Sequence, residues 1–100
     1  MEIRLAKGVQ DEFDEACHWY DDVEPAMVGP FKAETLRILD DVIHHPFRWP
    51  KITPRIRRRF NHRRFPYAML YRVHQDHILI VAIMHTSRRP GYWRSRVTKK

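Results

Sequence analysis

The sequence has little cysteine and little glycine, and it has no long hydrophobic run. Its single cysteine, Cys17, excludes a disulfide within the chain and a thiolate metal site. The three glycines, Gly8, Gly29 and Gly91, lie far apart, which excludes a glycine-rich loop that cradles phosphate. The longest apolar run, Ile78 to Met84, has the length of a β-strand and is far too short to span a membrane. These absences predict a protein without a membrane anchor.

The size and composition predict one small folded domain over residues 1–100. Hydrophobic residues make up 43% of the chain, which excludes a disordered protein. The first eight residues, MEIRLAKG, lack the apolar stretch of an export signal, so we expect a cytoplasmic location. The adjacent His44 and His45 point in different directions from a helix, and His62 lies apart from them, so the sequence predicts neither a metal nor another cofactor.

The two halves of the chain carry opposite charge. Residues 1–50 contain eleven acidic and five basic side chains, whereas residues 51–100 contain fourteen basic side chains and one acidic residue, Asp76. Most of the positive charge is arginine, whose planar guanidinium binds phosphate or carboxylate through two parallel hydrogen bonds. A field of this kind attracts nucleic acid, an anionic membrane or an acidic protein segment. The C-terminal half is therefore predicted to meet a partner.

The spacing of apolar residues predicts a first strand and a helical hairpin over about residues 2–45. Glu2 to Leu5 alternate weakly, as in a short strand, and helical spacing begins at Val9. A second helix is expected from about Ala26 to His45, with its regular part beginning at Phe31 because Gly29 and Pro30 precede it. On the first helix, the face opposite the apolar one is expected to carry Asp11, Glu12, Asp14, Glu15, Asp21 and Asp22.

Beyond a proline-rich connection over residues 46–54, the period changes to that of β-strands, and a basic sheet is expected over about residues 55–96. Residues 55–60 alternate so that Arg55, Arg57 and Arg59 share one face. Phe65 to Val73 and Ile78 to His85 follow as two further strands, and the latter is apolar enough to be covered on both faces. The predicted class is α+β, with the helical hairpin packed on a mainly antiparallel sheet of three to four strands.

The last strand is followed by a group of residues that could carry chemistry. Two cations, Arg88 and Arg89, could stabilise a phosphate and its transition state, and His85 or Tyr92 could then move a proton. The candidate catalytic residues are therefore His85, Arg88, Arg89 and Tyr92. In the alternative interpretation, His85 is a hydrogen-bonded spacer, and Tyr92 and Trp93 close the end of the core.

The chain resembles the RelE/ParE toxins of bacterial type II toxin–antitoxin systems. Five segments carry the resemblance, in the family's order and over about residues 2–96. They are Glu15-Ala16 with Trp19-Tyr20-Asp21, Pro46 with Trp49-Pro50, Arg57-Arg58, Phe65-Pro66-Tyr67 with Tyr71-Arg72-Val73, and His85 with Arg88-Arg89-Pro90-Gly91-Tyr92-Trp93. The Pro-Gly-Tyr-Trp ending is most similar to the ParE-like, plasmid-stabilisation branch.

The resemblance implies a growth-arresting toxin that a cognate antitoxin neutralises by wrapping around it. RelE-like members cleave mRNA on the ribosome, whereas ParE-like members poison DNA gyrase, and both targets stay open for this sequence. If the chain is an enzyme, we expect a metal-independent endoribonuclease; a further alternative is a non-toxic remnant that only binds antitoxin. The arginines expected to bind RNA or antitoxin are Arg55, Arg57, Arg58, Arg59, Arg63, Arg64 and Arg96.

Overall fold

The fold is a four-stranded sheet with two long helices on one face and the C-terminal segment on the other. A computed structural model describes residues 1–61 and 65–98. In chain order the elements are β1 (Glu2–Leu5), α1 (Val9–Val23), a 3-10 turn (Pro25–Met27), α2 (Val28–His44), β2 (Arg57–Phe60), β3 (Tyr67–Val73), β4 (His77–His85) and α3 (Ser95–Thr98). None of the described helices has the length and apolar character needed to cross a membrane.

The strands lie in the order β1-β4-β3-β2, and the sheet is mixed. Strand β3 is antiparallel to both of its neighbours, β2 and β4. Strand β1 is parallel to β4, with Ile3 opposite Ile78. The predicted α+β class and the mainly antiparallel sheet are therefore confirmed. The N-terminal strand adds the one parallel pairing among these four strands.

The helices bury the main core against one face of the sheet. Side chains of α1 and α2 meet the central strands in a cluster formed by Val9, Ile38, Val42, Met69, Tyr71, Ile78 and Ile80. A second, aromatic cluster joins the helices to the segment that precedes β3, where Phe31 lies between Tyr20 and Phe65 with ring centroids 5.2 and 5.3 Å away. The apolar stripes that predicted the helices are the surfaces that they bury.

The opposite face of the sheet is covered by the chain's C-terminal segment. Leu70, Val81 and Ala82 pack there against Ile56 and Trp93, and all five are buried. Strand β4 is thus covered on both faces, as its unbroken apolar run predicted. Trp93 therefore closes the core on the side away from the helices.

Three predicted boundaries differ from the structure. Helix α2 begins at Val28, before Pro30, because a proline in the first turn of a helix removes no intrahelical hydrogen bond. Strand β2 begins only at Arg57, because the hydroxyl of Thr53 accepts the N–H groups of Arg55 and Ile56 and holds them in a turn. Strand β3 begins two residues later than expected, at Tyr67.

Candidate functional site

The segment that leaves β4 folds back through consecutive turns. The N–H of Arg88 donates to the carbonyl of His85 at 3.0 Å, and the N–H of Tyr92 donates to the carbonyl of Arg89 at 3.3 Å. Gly91 then adopts a φ of +78°, a left-handed conformation that favours glycine. These turns place Tyr92 beside helix α1 and bring Arg96 of α3 to the carbonyl of Val81 in the middle of β4.

Glu12 of α1 is the centre of a buried polar network. Its side chain is 8% exposed, and its carboxylate accepts the Ile83 N–H at 3.0 Å and the Tyr92 hydroxyl. The Arg96 guanidinium adds hydrogen bonds of 3.0 and 3.2 Å to the two carboxylate oxygens. Every one of these groups is a donor, and the two oxygens of Glu12 are their common acceptors. The sequence prediction that Glu12 lies on the exposed acidic face of α1 is wrong.

The Glu12–Arg96 ion pair completes the sheet edge where β1 ends. The Ala6 N–H still bonds to the Ile80 carbonyl, but β1 does not continue alongside the later part of β4. There, Arg96 donates to the carbonyl of Val81 at 3.0 Å while Glu12 accepts the N–H of Ile83. Two backbone groups of an otherwise open edge thus have side-chain partners, which avoids the cost of leaving them unpaired.

Gly8 leaves room for the same guanidinium. Its φ is +94°, and a Cβ built on it would lie 2.9 Å from Nη2 of Arg96. A larger residue here would therefore be strained by its backbone and would crowd the ion pair. Gly8, which precedes α1, and Arg96 of α3 are in this way fitted to each other.

Tyr92 is held as a neutral phenol. Two guanidinium groups contact its ring, with the Cζ atoms of Arg88 and Arg96 at 3.8 and 5.3 Å from the ring centroid. Burial, followed by the hydrogen bond to Glu12, raises the pKa of Tyr92 well above its usual range. A tyrosine can act as a general base only when its pKa is lowered towards neutrality, and the shift here has the opposite sign.

His85, the last residue of β4, has one ring nitrogen engaged. Its Nδ1 accepts the Ser87 N–H at 3.0 Å and lies 2.7 Å from the Ser87 hydroxyl. In the neutral imidazole this places the proton on Nε2. The ring also meets the edge of Tyr67, with centroids 5.0 Å apart and planes at 85°. His85 is thus a hydrogen-bonded strand end that keeps one donor for a ligand.

Two shallow surface hollows lie beside His85. The first, of about 270 Å³, is lined by Trp19, Tyr20, Val23, Glu24, Pro66, Tyr67 and His85. The second, of about 280 Å³, is lined by Glu12, Glu15, Ala16, Trp19, Tyr67, Ile83, His85, Ser87 and Arg88. Of the predicted catalytic residues, His85 and Arg88 therefore share a hollow, while Arg89 is exposed on the turn beyond them.

Two of the predicted binding arginines are engaged inside the protein. Arg57 donates to the carbonyls of Phe47 and Trp49 at 3.2 and 2.7 Å. Arg59 bonds to the Asp41 carboxylate at 3.1 Å and lies over the Trp49 ring, with its side chain 17% exposed. Both face the helices, and together they fix the connection between α2 and β2 to the sheet.

The other predicted binding arginines lie in different surroundings. Arg58, on the opposite face of β2, stacks on Phe60 at 4.2 Å, and Arg55 is exposed in the turn before β2. Arg96 is occupied by Glu12, as described above. The remaining two, Arg63 and Arg64, lie outside the described residues. Exposed cations of the C-terminal segment are Arg88, Arg89 and Arg94.

No metal site is evident in residues 1–61 and 65–98, where no three His, Cys, Asp or Glu side chains gather. Cys17 is buried in α1, and burial raises the pKa of its thiol, which disfavours the reactive thiolate. The residue that sequence reasoning missed is Glu12. Its spacing gave a signal, because it lies three residues after Val9 and four before Ala16, both buried on the apolar stripe of α1.

The architecture is a small α+β domain with a RelE/ParE-like fold, in which the helices lie on one sheet face and the C-terminal segment on the other. The chain belongs to the ParE toxin family. The family described as "ParE toxin of type II toxin-antitoxin system, parDE" matches residues 3–90. No curated protein sequence matches the chain significantly.

A solved structure from P. aeruginosa has a similar fold. It is described as the chromosomal ParDE TA system, and its chain is 19% identical to this one with a TM-score of 0.58. The similarity covers 87% of the present chain and 97% of the other. At this level of identity the likeness is one of fold, and it agrees with the family match.

Proposed function

We propose that the protein arrests growth by binding and inhibiting DNA gyrase, and that a cognate antitoxin neutralises it. Membership of the ParE toxin family supports the role of toxin in a type II toxin–antitoxin system. What we propose beyond family membership is that gyrase is the target and that a cognate antitoxin neutralises the chain. Because gyrase acts on chromosomal DNA, this function takes place in the cytoplasm.

The hydrogen bond from the Tyr92 hydroxyl to Glu12 is the observation that favours gyrase over mRNA as the target. RNA cleavage by general acid–base catalysis needs a proton-transfer group within reach of the phosphate. The Tyr92 hydroxyl instead donates to a buried carboxylate, and its pKa is raised. The Arg96 guanidinium is likewise ion-paired with the Glu12 carboxylate, so it stabilises the fold and does not bind a phosphate. This arrangement favours a protein that acts by binding.

A second candidate function, ribosome-dependent mRNA cleavage, is favoured by one observation. His85 and Arg88 line the same hollow, so a phosphate held by the arginine would lie near an imidazole. In that case Arg88 and Arg89 would hold the phosphate and His85 would move the proton. The negative charge of Glu15 in the same hollow opposes phosphate binding.

The two functions are separated by testing one preparation in two assays. Purified protein freed of antitoxin is added to gyrase with relaxed plasmid, and to programmed ribosomes with labelled mRNA whose ends are mapped by primer extension. We expect inhibited supercoiling and intact mRNA. Ribosome-dependent cuts that disappear in His85→Ala would instead establish the endoribonuclease.

Variants connect these assays to the site. Tyr92→Phe and His85→Ala are expected to keep gyrase inhibition within about threefold, because neither group handles a proton in a binding mechanism. The double variant Arg88→Ala/Arg89→Ala, which removes exposed charge, is expected to weaken inhibition at least tenfold. Expression of the chain alone gives the remaining check, since unimpaired growth would indicate a non-toxic remnant.

A further inference from the structure

Helix α1 presents two large apolar side chains to solvent at its C-terminal end. Trp19 is 55% exposed and Val23 is 61% exposed, and a spacing of four residues places them one above the other on the helix. The Trp19 ring packs edge-on against Tyr20, with centroids 5.0 Å apart and planes at 84°. The indole is therefore held in position while more than half of it faces water.

The two hollows beside His85 share this tryptophan as a wall. Both are lined by Trp19, Tyr67 and His85, and the two adjoining hollows together are called here the Trp19 cleft. Its walls are mostly aromatic and aliphatic, and each half is large enough for a single bulky side chain. A rigid tryptophan at the centre of such a depression has the character of a binding hot spot.

The rim of the Trp19 cleft is acidic. Glu24 lines one half, and Glu15 lines the other, where Arg88 is the one arginine among the described lining residues. Burial is the main cause that raises the pKa of Tyr67, and Tyr20, Cys17 and Glu15 add to it in that order. More exposed carboxylates follow along the same helix: Asp11, Asp14, Asp21 and Asp22. This potential repels phosphate and attracts lysine and arginine.

We propose that the Trp19 cleft receives a segment of the antitoxin that carries one or two large apolar side chains flanked by lysine or arginine. The inference rests on the proposed function in one respect, that an antitoxin neutralises this chain. An apolar anchor surrounded by complementary charge suits a lasting complex, because the anchor supplies affinity and the charges fix register. Of the exposed arginines of the C-terminal segment, Arg88 lines the cleft, whereas Arg89 and Arg94 lie outside its lining and stay available for an acidic partner.

The test titrates the antitoxin encoded beside this chain into purified toxin variants. Trp19→Ser is expected to raise the dissociation constant at least fiftyfold, since the central anchor is lost. Glu15→Gln with Glu24→Gln is expected to raise it about tenfold and to reduce its dependence on salt. Val23→Lys provides a second surface variant in case Trp19→Ser fails to fold, and each variant is first checked by thermal melting.

Matched controls lie on the neighbouring helix. Leu36 of α2 is 64% exposed, so Leu36→Ser removes a comparable apolar side chain outside the cleft. Asp40→Asn removes an exposed carboxylate from the same helix. Both controls are expected to bind antitoxin within twofold of the unmodified chain. Wild-type affinity in Trp19→Ser or Val23→Lys would overturn the proposal.

Two synthetic helical peptides test the surface without the antitoxin. Both carry leucine and phenylalanine four residues apart, and they differ only in flanking lysines or flanking glutamates. The lysine peptide is expected to shift the Trp19 indole resonance and to bind at least tenfold more tightly. Preference for the glutamate peptide, or displacement of either peptide by single-stranded RNA, would overturn the assignment of the cleft.

The outcomes separate this inference from the proposed function. A chain that binds antitoxin through Trp19 but does not inhibit gyrase would overturn the proposed target and leave the docking surface standing. A toxic chain that is neutralised equally well with and without Trp19 would overturn the docking surface alone. If the protein encoded beside this chain binds neither the unmodified chain nor the Trp19 variant, both the docking surface and the proposed neutralisation are overturned.

Discussion

Replacing Glu12 by alanine removes the acceptor of four hydrogen bonds at once. The donors are the Ile83 N–H, the Tyr92 hydroxyl and two N–H groups of Arg96. The substitution leaves a guanidinium without its carboxylate in a place where the Arg96 side chain is 18% exposed. It also leaves a strand N–H and a phenol without their partners. The expected effect is therefore much larger than that of an ordinary surface substitution.

The size of the effect follows from the burial of the ion pair. Removing one member of a buried pair costs about 3–5 kcal/mol, mostly because the other charge stays behind unpaired. Small domains have a free energy of unfolding of about 5–15 kcal/mol, so Glu12→Ala is expected to remove a large share of it. Glu12→Gln keeps the shape and one acceptor oxygen, and it is expected to cost about 1–3 kcal/mol.

Urea unfolding followed by far-UV circular dichroism measures these differences. Glu15→Ala is the matched control, because Glu15 lies three residues further along α1 and is exposed. It is expected to change the free energy of unfolding by less than about 0.5 kcal/mol. Hydrogen exchange adds a local measurement, since Glu12 variants should expose the Ile83 amide more than the amides in the centre of β3.

The reasoning would be refuted if Glu12→Ala lowered the free energy of unfolding by less than about 1 kcal/mol relative to the unmodified chain. Unchanged protection of the Ile83 amide would count against the second step, that the carboxylate completes the edge of β4. A double-mutant cycle with Arg96→Met then measures the pair itself. We expect a coupling of about 1–3 kcal/mol, because the two groups are in direct contact.

Two further predictions concern a pH dependence and a glycine. Burial, followed by the charge of Arg72, lowers the pKa of His74 below its ordinary value of 6.5. As the pH falls, His74 is therefore protonated in the unfolded chain before it is protonated in the folded chain. Stability is expected to fall as the pH drops below about 6.5, and less so in His74→Gln, which melting curves at several pH values will show. Gly91→Ala is expected to cost about 1–2 kcal/mol in urea unfolding, because alanine rarely adopts a φ of +78°. Gly29→Ala, where an added Cβ meets nothing within 4 Å, is the control and should be neutral or slightly stabilising.

Most of the fold could be predicted because the strongest signals were local. The stripe that begins at Val9 defined α1, and the apolar run from Ile78 defined the central strand. The parallel pairing of β1 with β4 could not be predicted in the same way. It joins residues more than seventy positions apart, and three of the four β1 residues are exposed, so their weak alternation indicated a strand but not the strand that it pairs with.

The candidate site was less predictable, because the same residue types serve binding and folding. An arginine on an alternating strand has the same pattern whether its guanidinium meets RNA or a backbone carbonyl. Arg57 and Arg59 face the helices, and only the three-dimensional structure shows that their hydrogen bonds end on Trp49 of the connection over residues 46–54 and on Asp41 of α2. Sequence spacing therefore indicated the face of these side chains but not what they contact.

The opposite charges of the two halves have two different uses. Part of the charge holds the fold, because the long-range ion pairs Asp41–Arg59 and Glu12–Arg96 each join the acidic half to the basic half. The rest stays on the surface as carboxylates along α1 and as exposed arginines after β4. An antitoxin that covers both surfaces must then carry basic residues for one and acidic residues for the other. A partner with a single sign of charge would be attracted to one surface and repelled by the other.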